Sequence, residues 1–282
     1  MRDEAEGAGG ATIRRATPED ADFIASLLDH EDVEPFLSAR RPSTREEVLE
    51  RIERSRREPT EFGVFVIESD GRLAGTMEFE EGNRRSRIAH LGGLAVHPDF
   101  RARGLAEEAA HELKRHLLLD LGYHRLQLEV YAFNERAKRH SERVGFRHEG
   151  DRRLAYRRHG TWVGSSLYAV VREDLGLPPG VDLLYELVAR HNRREWEWLG
   201  DLYTEDAVLE FVGAPVGPFA GREAIVAAYT ERPPDDEVRI LSAEDGDPVV
   251  AHYAWLAEPE TDAGTMTLTV RDGLVSRLVV SV

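Results

Sequence analysis

The chain has 282 residues, of which 41% are hydrophobic and none is cysteine. This length exceeds one typical domain, so we expect two domains, each with its own core. The lack of cysteine excludes a disulfide framework, a thiolate nucleophile and a cysteine-ligated metal. Because no signal peptide or long apolar segment is visible, the sequence predicts a cytoplasmic protein with no membrane partner.

The net charge of −16 is unevenly distributed. Residues 1–176 contain 29 basic and 33 acidic side chains, whereas residues 177–282 contain 8 and 20. A net-acidic chain without a basic stripe argues against nucleic-acid binding. Acidic balance also serves solubility, so it does not identify a substrate.

The first part of the chain predicts short alternating elements. Residues 1–11 are rich in Glu, Gly and Ala and are expected to form a disordered tail. Thr17 and Pro18 are typical of a helix N-cap and first helical position. The predicted elements before residue 88 are a strand at 12–16, helices from 17 and from 43, strands at 62–67 and 72–79, and a charged loop at 80–87.

The stretch from residue 88 to 120 predicts a strand, a tight loop and a long helix from about residue 104. The first turn of a helix carries unpaired N–H groups and a positive dipole end, so a diphosphate can bind there. Gly104 lets such a ligand approach the backbone. Arg101 and Arg103 either add donors at the rim or are ordinary solvated charges.

A strand at 125–130 follows the helix, and two parallel strands joined by a helix form a right-handed crossover. Gly92-Gly93 is unusual inside a strand and indicates a bulge or a close backbone approach. If a bulge separates the two strands, a slot opens between them beside the diphosphate site. An elongated ligand with a diphosphate and a thin arm fits that slot.

Two motifs in this region resemble the GNAT acetyltransferase superfamily. Residues 101–106 match its Arg/Gln-x-x-Gly-x-Gly/Ala signature, and Asn134 to Ala137 with Glu142 to Phe146 resemble its Asn-x-x-Ala and Glu-Lys-x-Gly-Phe segments. Residues 147–150, 161–163 and 167–170 resemble the branch of ribosomal-protein and spermidine N-acetyltransferases. The resemblance covers residues 12–175.

The resemblance implies a mixed central sheet flanked by helices, with acetyl-CoA as acyl donor, an amine as acceptor and no metal. It implies that the backbone of Leu94 and Val96 pairs with the pantetheine arm and that residues 101–106 hold the diphosphate. The cofactor-binding residues are therefore expected to be Leu94, Ala95, Val96, Arg101, Ala102, Arg103, Gly104, Leu105, Ala106 and Asn134.

Three residues are candidates for the base that deprotonates the amine. His90 is the first, because it lies on the cofactor strand where many relatives have glutamate, and imidazole titrates near neutrality. Its alternative is a surface or hydrogen-bonded strand histidine. Glu129 either acts through a water or sits in an ion pair. Glu78 is a weaker candidate that orients the substrate or faces solvent.

The sequence departs from the family at two positions. Ser141 replaces the tyrosine that protonates the leaving thiolate in many relatives, so it is expected to position a water or to bond the sulfur. Solvent or another residue such as Tyr131 then supplies the acid. Gly164 stands where the branch often has aspartate, and both departures leave substrate handling open.

Pro178-Pro179-Gly180 predicts a linker at 176–181, followed by a second domain at 182–282. Helices come first, followed by a run of strands, which predicts an α+β cone with a curved antiparallel sheet. The segments 191–196, 202–208 and 221–225 resemble SnoaL-like proteins, which share the ketosteroid-isomerase fold. Leu187 and Phe211 replace the isomerase's tyrosine and aspartate, which argues against isomerase chemistry.

Four residues of this second half either line a pocket or belong to the core of the sheet, namely His252, Tyr253, Trp255 and Glu210. The fold class expected is mixed α/β in the first domain and α+β in the second. The two resemblances together imply an acetyl-CoA-dependent N-acetyltransferase with a SnoaL-like domain that binds a ligand, covers the acceptor site or forms a homodimer. The alternatives are a non-catalytic acyl-CoA sensor and a bifunctional protein with separate chemistry in the second domain.

Overall fold

The computed structural model describes residues 10–37 and 44–281. They form two compact units, one with the residues up to Arg115 and Tyr123–Arg172, the other with His116–Gly122 and the residues from Glu173 onward. Residues 1–9 of the predicted tail lie outside the described residues, as does Ser43. The predicted limits 12–175, 176–181 and 182–282 stay predictions.

A single mixed sheet organises the first unit. Its strands are β1 (Thr12–Arg15), β2 (Phe62–Ser69), β3 (Arg72–Asn83), β4 (Ile88–Val96), β5 (Arg125–Tyr131), β6 (Arg147–Arg158) and β7 (Thr161–Val171). Its helices are α1 (Ala21–Leu28), α2 (Arg45–Arg57), α3 (Leu105–Arg115) and α4 (Glu135–Arg143). The strand order is β1-β2-β3-β4-β5-β7-β6, and all neighbours are antiparallel except β4 and β5. The mixed sheet expected from the sequence is confirmed.

Local chemistry explains where the early helices begin. Thr44 caps α2 by accepting a hydrogen bond from Glu47 N at 3.2 Å, and Val48 and Ile52 are buried on the inner face of the helix. The helix predicted from residue 17 starts instead as a 3₁₀ turn, and α1 begins at Ala21. The reason is Asp20, whose buried carboxylate accepts from Thr17 N at 2.7 Å and tightens that turn.

The charged loop expected at 80–87 is wrong in its first half, because β3 continues to Asn83. Backbone pairing with β4 outweighs the polar composition, since Glu80 pairs with His90 and Glu81 with Ala89. A charged side chain at a strand position costs little when it is exposed, and Glu80 is exposed and accepts from Arg54 at 2.7 Å.

The parallel strands β4 and β5 are paired over only three positions, Ile88 with Arg125, Ala89 with Leu126 and His90 with Gln127. Beyond His90 the two strands separate. The register of β4 against β3 shifts between residues 92 and 95, where Gly93 has φ +63°, which identifies a bulge. The bulge and the strand separation predicted from Gly92-Gly93 are therefore present.

The helix predicted over 104–120 changes its geometry part-way. It is α-helical from Leu105 to Arg115 and π-helical from His116 to Asp120. Leu121 N accordingly donates to His116 O, five residues back, at 3.0 Å.

The second unit combines helices with a six-stranded sheet. Its elements are α5 (Pro179–Asn192), α6 (Trp196–Gly200), β8 (Tyr203–Val212), β9 (Phe219–Ala220), α7 (Arg222–Glu231), β10 (Val238–Glu244), β11 (Val249–Trp255), β12 (Gly264–Arg271) and β13 (Leu274–Ser281). The strand order is β10-β11-β12-β13-β8-β9. The antiparallel sheet expected here is corrected, because β13 and β8 are parallel. A helix and β9 separate β8 from the later hairpins, so no tight turn imposes antiparallel pairing.

Helix α5 begins inside the predicted linker, at Pro179. Proline suits the first helical turn, because its missing N–H has no intrahelical partner there. Leu184, Leu187 and Val188 are buried on one face of the helix. At its end, the buried Asn192 side chain accepts from Val238 N and donates to Val238 O, both at 2.8 Å.

Replacing each of the two adjacent glycines tests the bulge. A Cβ at Gly93 would lie 2.9 Å from Glu78 Cγ in a left-handed backbone, whereas a Cβ at Gly92 would lie no closer than 3.7 Å to Glu78. We expect Gly93→Ala to lower the free energy of unfolding by about 1–2 kcal/mol. Gly92→Ala is the matched control and should cost less than half as much in urea unfolding. Equal losses would contradict the assigned bulge.

Candidate active site

A cavity of about 310 Å³ lies in the first unit where β4 and β5 separate. Its walls come from the end of β4, the loop before α3, one face of α4 and the apolar residues Val33, Phe36 and Leu37. All ten residues predicted to bind the cofactor line it: Leu94, Ala95, Val96, Arg101, Ala102, Arg103, Gly104, Leu105, Ala106 and Asn134. Their assignment to a cofactor stays a prediction.

The loop before α3 has backbone N–H groups that are available to a ligand. Ala102 and Gly104 have φ +62° and +81°, and the helix starts on Gly104, whose carbonyl accepts from Glu107 N at 2.9 Å. Among the described residues, the N–H groups of residues 102–106 donate to no other group. An N-terminal helical turn with free donors is an anion site.

The two arginines of this loop are already engaged at the rim. Arg101 donates to Asp32 O at 3.1 Å, and Arg103 lies 3.8 Å from the Asp70 carboxylate. Both are partly exposed, and such surface pairs are weak. A diphosphate can therefore compete for both guanidinium groups.

Helix α4 supplies cavity residues that sequence reasoning missed, namely Arg136, His140 and Arg143. Their i, i+4, i+7 spacing behind Asn134 was the available signal. Arg143 lies 3.3 Å from Glu107 on α3. Burial, followed by the Arg143 charge, lowers the pKa of His140, so its imidazole is neutral at neutral pH.

The side-chain oxygens of Asn134 and Ser141 both form hydrogen bonds with the backbone of α4. Asn134 Oδ1 caps the helix by accepting from Ala137 N at 3.1 Å, and the residue lines the cavity. Ser141 Oγ donates to Ala137 O at 3.0 Å, and Ser141 does not line the cavity. Within the described chain, the buried Tyr131 hydroxyl makes no hydrogen bond. A role of Ser141 at the leaving sulfur stays a prediction.

His90 lies at the last paired position before β4 and β5 separate, and it does not line the cavity. Gln127 Nε2 lies 3.1 Å from His90 Nε2, and Gln127 Oε1 accepts from Arg125 Nε at 3.0 Å. Because its oxygen is occupied in this way, the Gln127 amide donates, so the imidazole nitrogen accepts. The exposed ring also packs over Gly82, where a Cβ would overlap it.

Glu129 occupies the ion pair that was its alternative interpretation. Its carboxylate accepts from Arg152 at 2.5 Å, Tyr156 at 2.7 Å and Ser165 at 2.8 Å. Burial alone raises the pKa of Glu129, but these three hydrogen bonds outweigh it and lower the pKa below its usual range. Glu78 likewise accepts from Arg51 at 2.6 Å. Both carboxylates therefore have an arginine partner.

The four candidate residues of the second unit do not converge on a pocket. Tyr253 is in the core, whereas His252 and Trp255 are exposed, and His252 Nδ1 lies 2.8 Å from Asp262. Glu210 pairs with Arg277 at 2.6 Å. Along β11, His252 and Tyr253 are neighbours and lie on opposite faces, whereas Tyr253 and Trp255 share a face, with ring centres 5.5 Å apart. The four side chains therefore do not all share one face of the sheet.

Comparison with known families assigns both units. Residues 11–147 match the model described as an acetyltransferase (GNAT) domain, and residues 183–278 match the SnoaL-like domain. The chain carries a GNAT acetyltransferase domain followed by a SnoaL-like domain. The family resemblance drawn from residues 101–106 and 134–146 is thereby confirmed.

A curated relative of the GNAT domain is the uncharacterized N-acetyltransferase YokL of the SPbeta prophage of Bacillus subtilis strain 168. It is 29% identical over 169 residues, which cover 60% of this chain and 94% of that protein. The match therefore spans nearly the whole of that protein but only part of this chain.

Solved structures of two enzymes share the fold of the GNAT domain. A spermidine N-acetyltransferase from Vibrio cholerae in complex with CoA and spermine has a TM-score of 0.53 at 20% identity, covering 58% of this chain and 96% of that one. RimL, a ribosomal L7/L12 α-N-protein acetyltransferase in complex with coenzyme A, has a TM-score of 0.52 at 16% identity, covering 57% and 94%.

The described residues contain neither a candidate membrane span nor a candidate metal cluster. In residues 10–37 and 44–281, no helix is long and apolar enough to span a membrane. The same residues contain no group of three or more His, Asp or Glu side chains arranged to hold a metal ion.

Substitutions in the loop before α3 test the anion site. Gly104→Ala adds a methyl group at a left-handed position, and we expect at least a tenfold weaker affinity for CoA by calorimetry. Ala102→Gly is the matched control, because it relaxes a second left-handed residue without adding bulk and should leave the affinity within about threefold. Unchanged affinity in Gly104→Ala would remove the diphosphate from this loop.

The Glu129 network predicts a pH-dependent contribution to stability. A lowered carboxyl pKa stabilises the folded state above the pKa of the unfolded chain and loses this effect as pH falls through the folded value. Glu129→Gln should therefore cost about 1–2 kcal/mol at pH 7 and progressively less below about pH 4.

The matched control for this prediction is Glu135→Gln, which removes an exposed pair with Lys138 and should cost under about 0.5 kcal/mol at pH 7. Both variants are compared with the parent by urea unfolding across pH. A Glu129→Gln loss that stays constant from pH 7 to pH 3 would contradict the lowered pKa.

Proposed function

We propose that the protein transfers an acetyl group from acetyl-CoA directly to a primary amine. The observation that carries this proposal is the cavity at the separation of β4 and β5, which all ten predicted cofactor residues line. Acetyl-CoA supplies a thioester-activated acetyl group. The amine nitrogen forms the new C–N bond while the C–S bond breaks, and CoA leaves as the thiol.

The residues present fit a CoA-type ligand at both of its ends. Beyond His90, β4 has lost its partner strand, so its backbone groups at Leu94–Val96 can pair with a thin amide-containing arm. The free N–H groups of residues 102–106 and the guanidinium groups of Arg101 and Arg103 suit a diphosphate.

Positioning supplies much of the rate in such a transfer. Holding an amine beside a thioester converts an encounter of two molecules into a reaction within one complex. The rigid sheet holds one partner along β4, and a backbone N–H of the same strand can stabilise charge that develops on the acetyl oxygen. The protein must then remove one proton from the amine.

His90 is the proposed base, since Glu129 and Glu78 are both tied to arginines. Its place at the last paired position brings it to the point where the strands separate. The lone pair of one nitrogen accepts from Gln127, so the imidazole receives the proton when that amide turns away or through a bridging water. Solvent protonates the thiolate, because Ser141 donates to its own helix.

The SnoaL-like domain is proposed to have an accessory role, in ligand binding or dimerisation. Of its four candidate pocket residues, Tyr253 lies in the core and His252 and Trp255 are exposed. Their polar groups therefore do not converge on one point where a reaction could take place. A homodimer stays a prediction for this chain, as do the alternatives of a sensor and of a bifunctional protein.

Removing the His90 imidazole tests the base directly. His90→Ala should lower kcat/KM for acetyl transfer by about 10²- to 10⁴-fold and remove the acidic limb of the pH profile. The Kd for CoA should stay unchanged, because His90 lies outside the cavity. Full activity with an unchanged pH profile would remove His90 from this role.

Gly82→Ala is a second, milder variant for the same role. It keeps the imidazole but forces the ring off its place over Gly82. We expect an intermediate rate loss of about tenfold. Gly71→Ala lies at a left-handed turn with open space around it, so it strains the backbone away from His90 and serves as the glycine control, with lower stability but an unchanged rate. Equal rates for the parent, Gly82→Ala and Gly71→Ala would show that the position of the His90 ring does not affect acetyl transfer.

A further inference from the structure

An aromatic surface borders the donor cavity. Phe36 lines the cavity, and the centre of its ring lies 6.2 Å from the centre of the Phe133 ring. The Phe133 ring in turn stacks on Tyr131, with 5.4 Å between the ring centres. Tyr156 extends the series, 5.6 Å from Tyr131. Phe36 and Phe133 are 41% and 48% exposed, which is unusual for phenylalanine. Phe36, Phe133, Tyr131 and Tyr156 are called the aromatic surface below.

The proposed base lies on the same face of the sheet as this surface. His90 pairs with Gln127, and Glu129 and Tyr131 follow at two-residue intervals along β5. Side chains two apart in a strand share a face. An acceptor placed between base and donor therefore meets the aromatic surface, so its body must suit those rings.

The carboxylates on this face are already neutralised. Arg51 binds Glu78 at 2.6 Å, Arg54 binds Glu80 at 2.7 Å and Arg152 binds Glu129 at 2.5 Å. Each arginine donates a direct hydrogen bond to its carboxylate. A second ammonium on the acceptor would thus find no free carboxylate among these three, and losing its hydration without a counter-charge is costly.

Three of the four rings of the aromatic surface, those of Phe36, Tyr131 and Tyr156, already carry a cation. The guanidinium carbon of Arg136 lies 5.6 Å from the centre of Phe36, that of Arg158 lies 5.6 Å from Tyr131 and that of Arg152 lies 5.7 Å from Tyr156. A ring that already carries one cation repels the approach of a second. Flat, neutral groups stack well on both phenylalanine and guanidinium planes.

We propose that the acceptor is a monoamine with an aromatic body that docks on Phe36 and Phe133, and that polyamines are poor acceptors. This inference rests on the proposed acetyl transfer. It assigns the aromatic surface to acceptor selection, with stacking on the two exposed rings as the source of affinity. The paired carboxylates and the arginines over the rings select against a second positive charge.

A matched pair of amines tests the charge selection. 2-Phenylethylamine and 4-(2-aminoethyl)benzylamine share the ring and the reacting aminoethyl group, but the second compound carries another ammonium at its far end. With saturating acetyl-CoA and the full chain, thiol release should show kcat/KM at least tenfold higher for the monoamine. Spermidine should fall below both compounds.

Two substitutions test the docking surface. Phe36→Ala and Phe133→Ala should each raise KM for 2-phenylethylamine about tenfold with little change in kcat, because they remove contact area and no reacting group. Phe36→Leu should restore most of the lost affinity, since it keeps an apolar side chain. Thermal unfolding at parental temperature shows that the variants are folded.

The two proposals fail in different ways. Equal or faster acetylation of the diamine or of spermidine, or an unchanged KM in both folded alanine variants, would overturn the aromatic-acceptor inference while leaving acetyl transfer intact. No thiol release with any of the three amines, despite CoA binding by calorimetry, would overturn the proposed transfer and this inference with it.

Discussion

The separation of β4 from β5 is the constraint on which the rest of the first unit depends. Two parallel strands that begin as neighbours stay paired for only three positions, because the bulge at Gly93 turns β4 away. Backbone groups that lose a strand partner must find another partner or face solvent. The same event opens the cavity, frees the edge of Leu94–Val96 and places His90 where the strands separate.

The N-termini of α3 and α4 form the rest of the cavity that opens where β4 and β5 separate. The left-handed residues Ala102 and Gly104 direct the chain into α3 with its first donors unused, and Asn134 starts α4 opposite them. Both helices therefore begin at the same cavity, which concentrates their positive ends and the arginines near them. Such a site attracts an anionic ligand without any lysine, which explains how a net-acidic chain can hold a diphosphate.

Much of the proposed cofactor-binding cavity could be predicted from the sequence, because its features depend on residues close together in the chain. The Gly92-Gly93 pair, the 101–106 loop and the cap at Asn134 each act through the backbone within a few residues. Arg136 and His140 were missed since they share a face only once α4 is built. The extent of β3 and the parallel pairing of β8 with β13 were missed because strand pairing is non-local and overrides composition.

The acceptor side shows why residue types alone mislead. In the sequence, Glu129 and Glu78 are candidates to deprotonate or orient an amine, and Glu80 is part of a charged stretch. Their arginine partners lie 27, 26 and 23 residues away in the chain, so no local pattern reveals the pairing. A carboxylate that is paired with an arginine holds its proton less readily. The hydrogen bonds from Tyr156, Ser165 and Arg152 outweigh burial and lower the pKa of Glu129 in this way. In the proposed aromatic-acceptor arrangement, the acceptor meets apolar surface, and selectivity comes from shape and from the charges that are already satisfied.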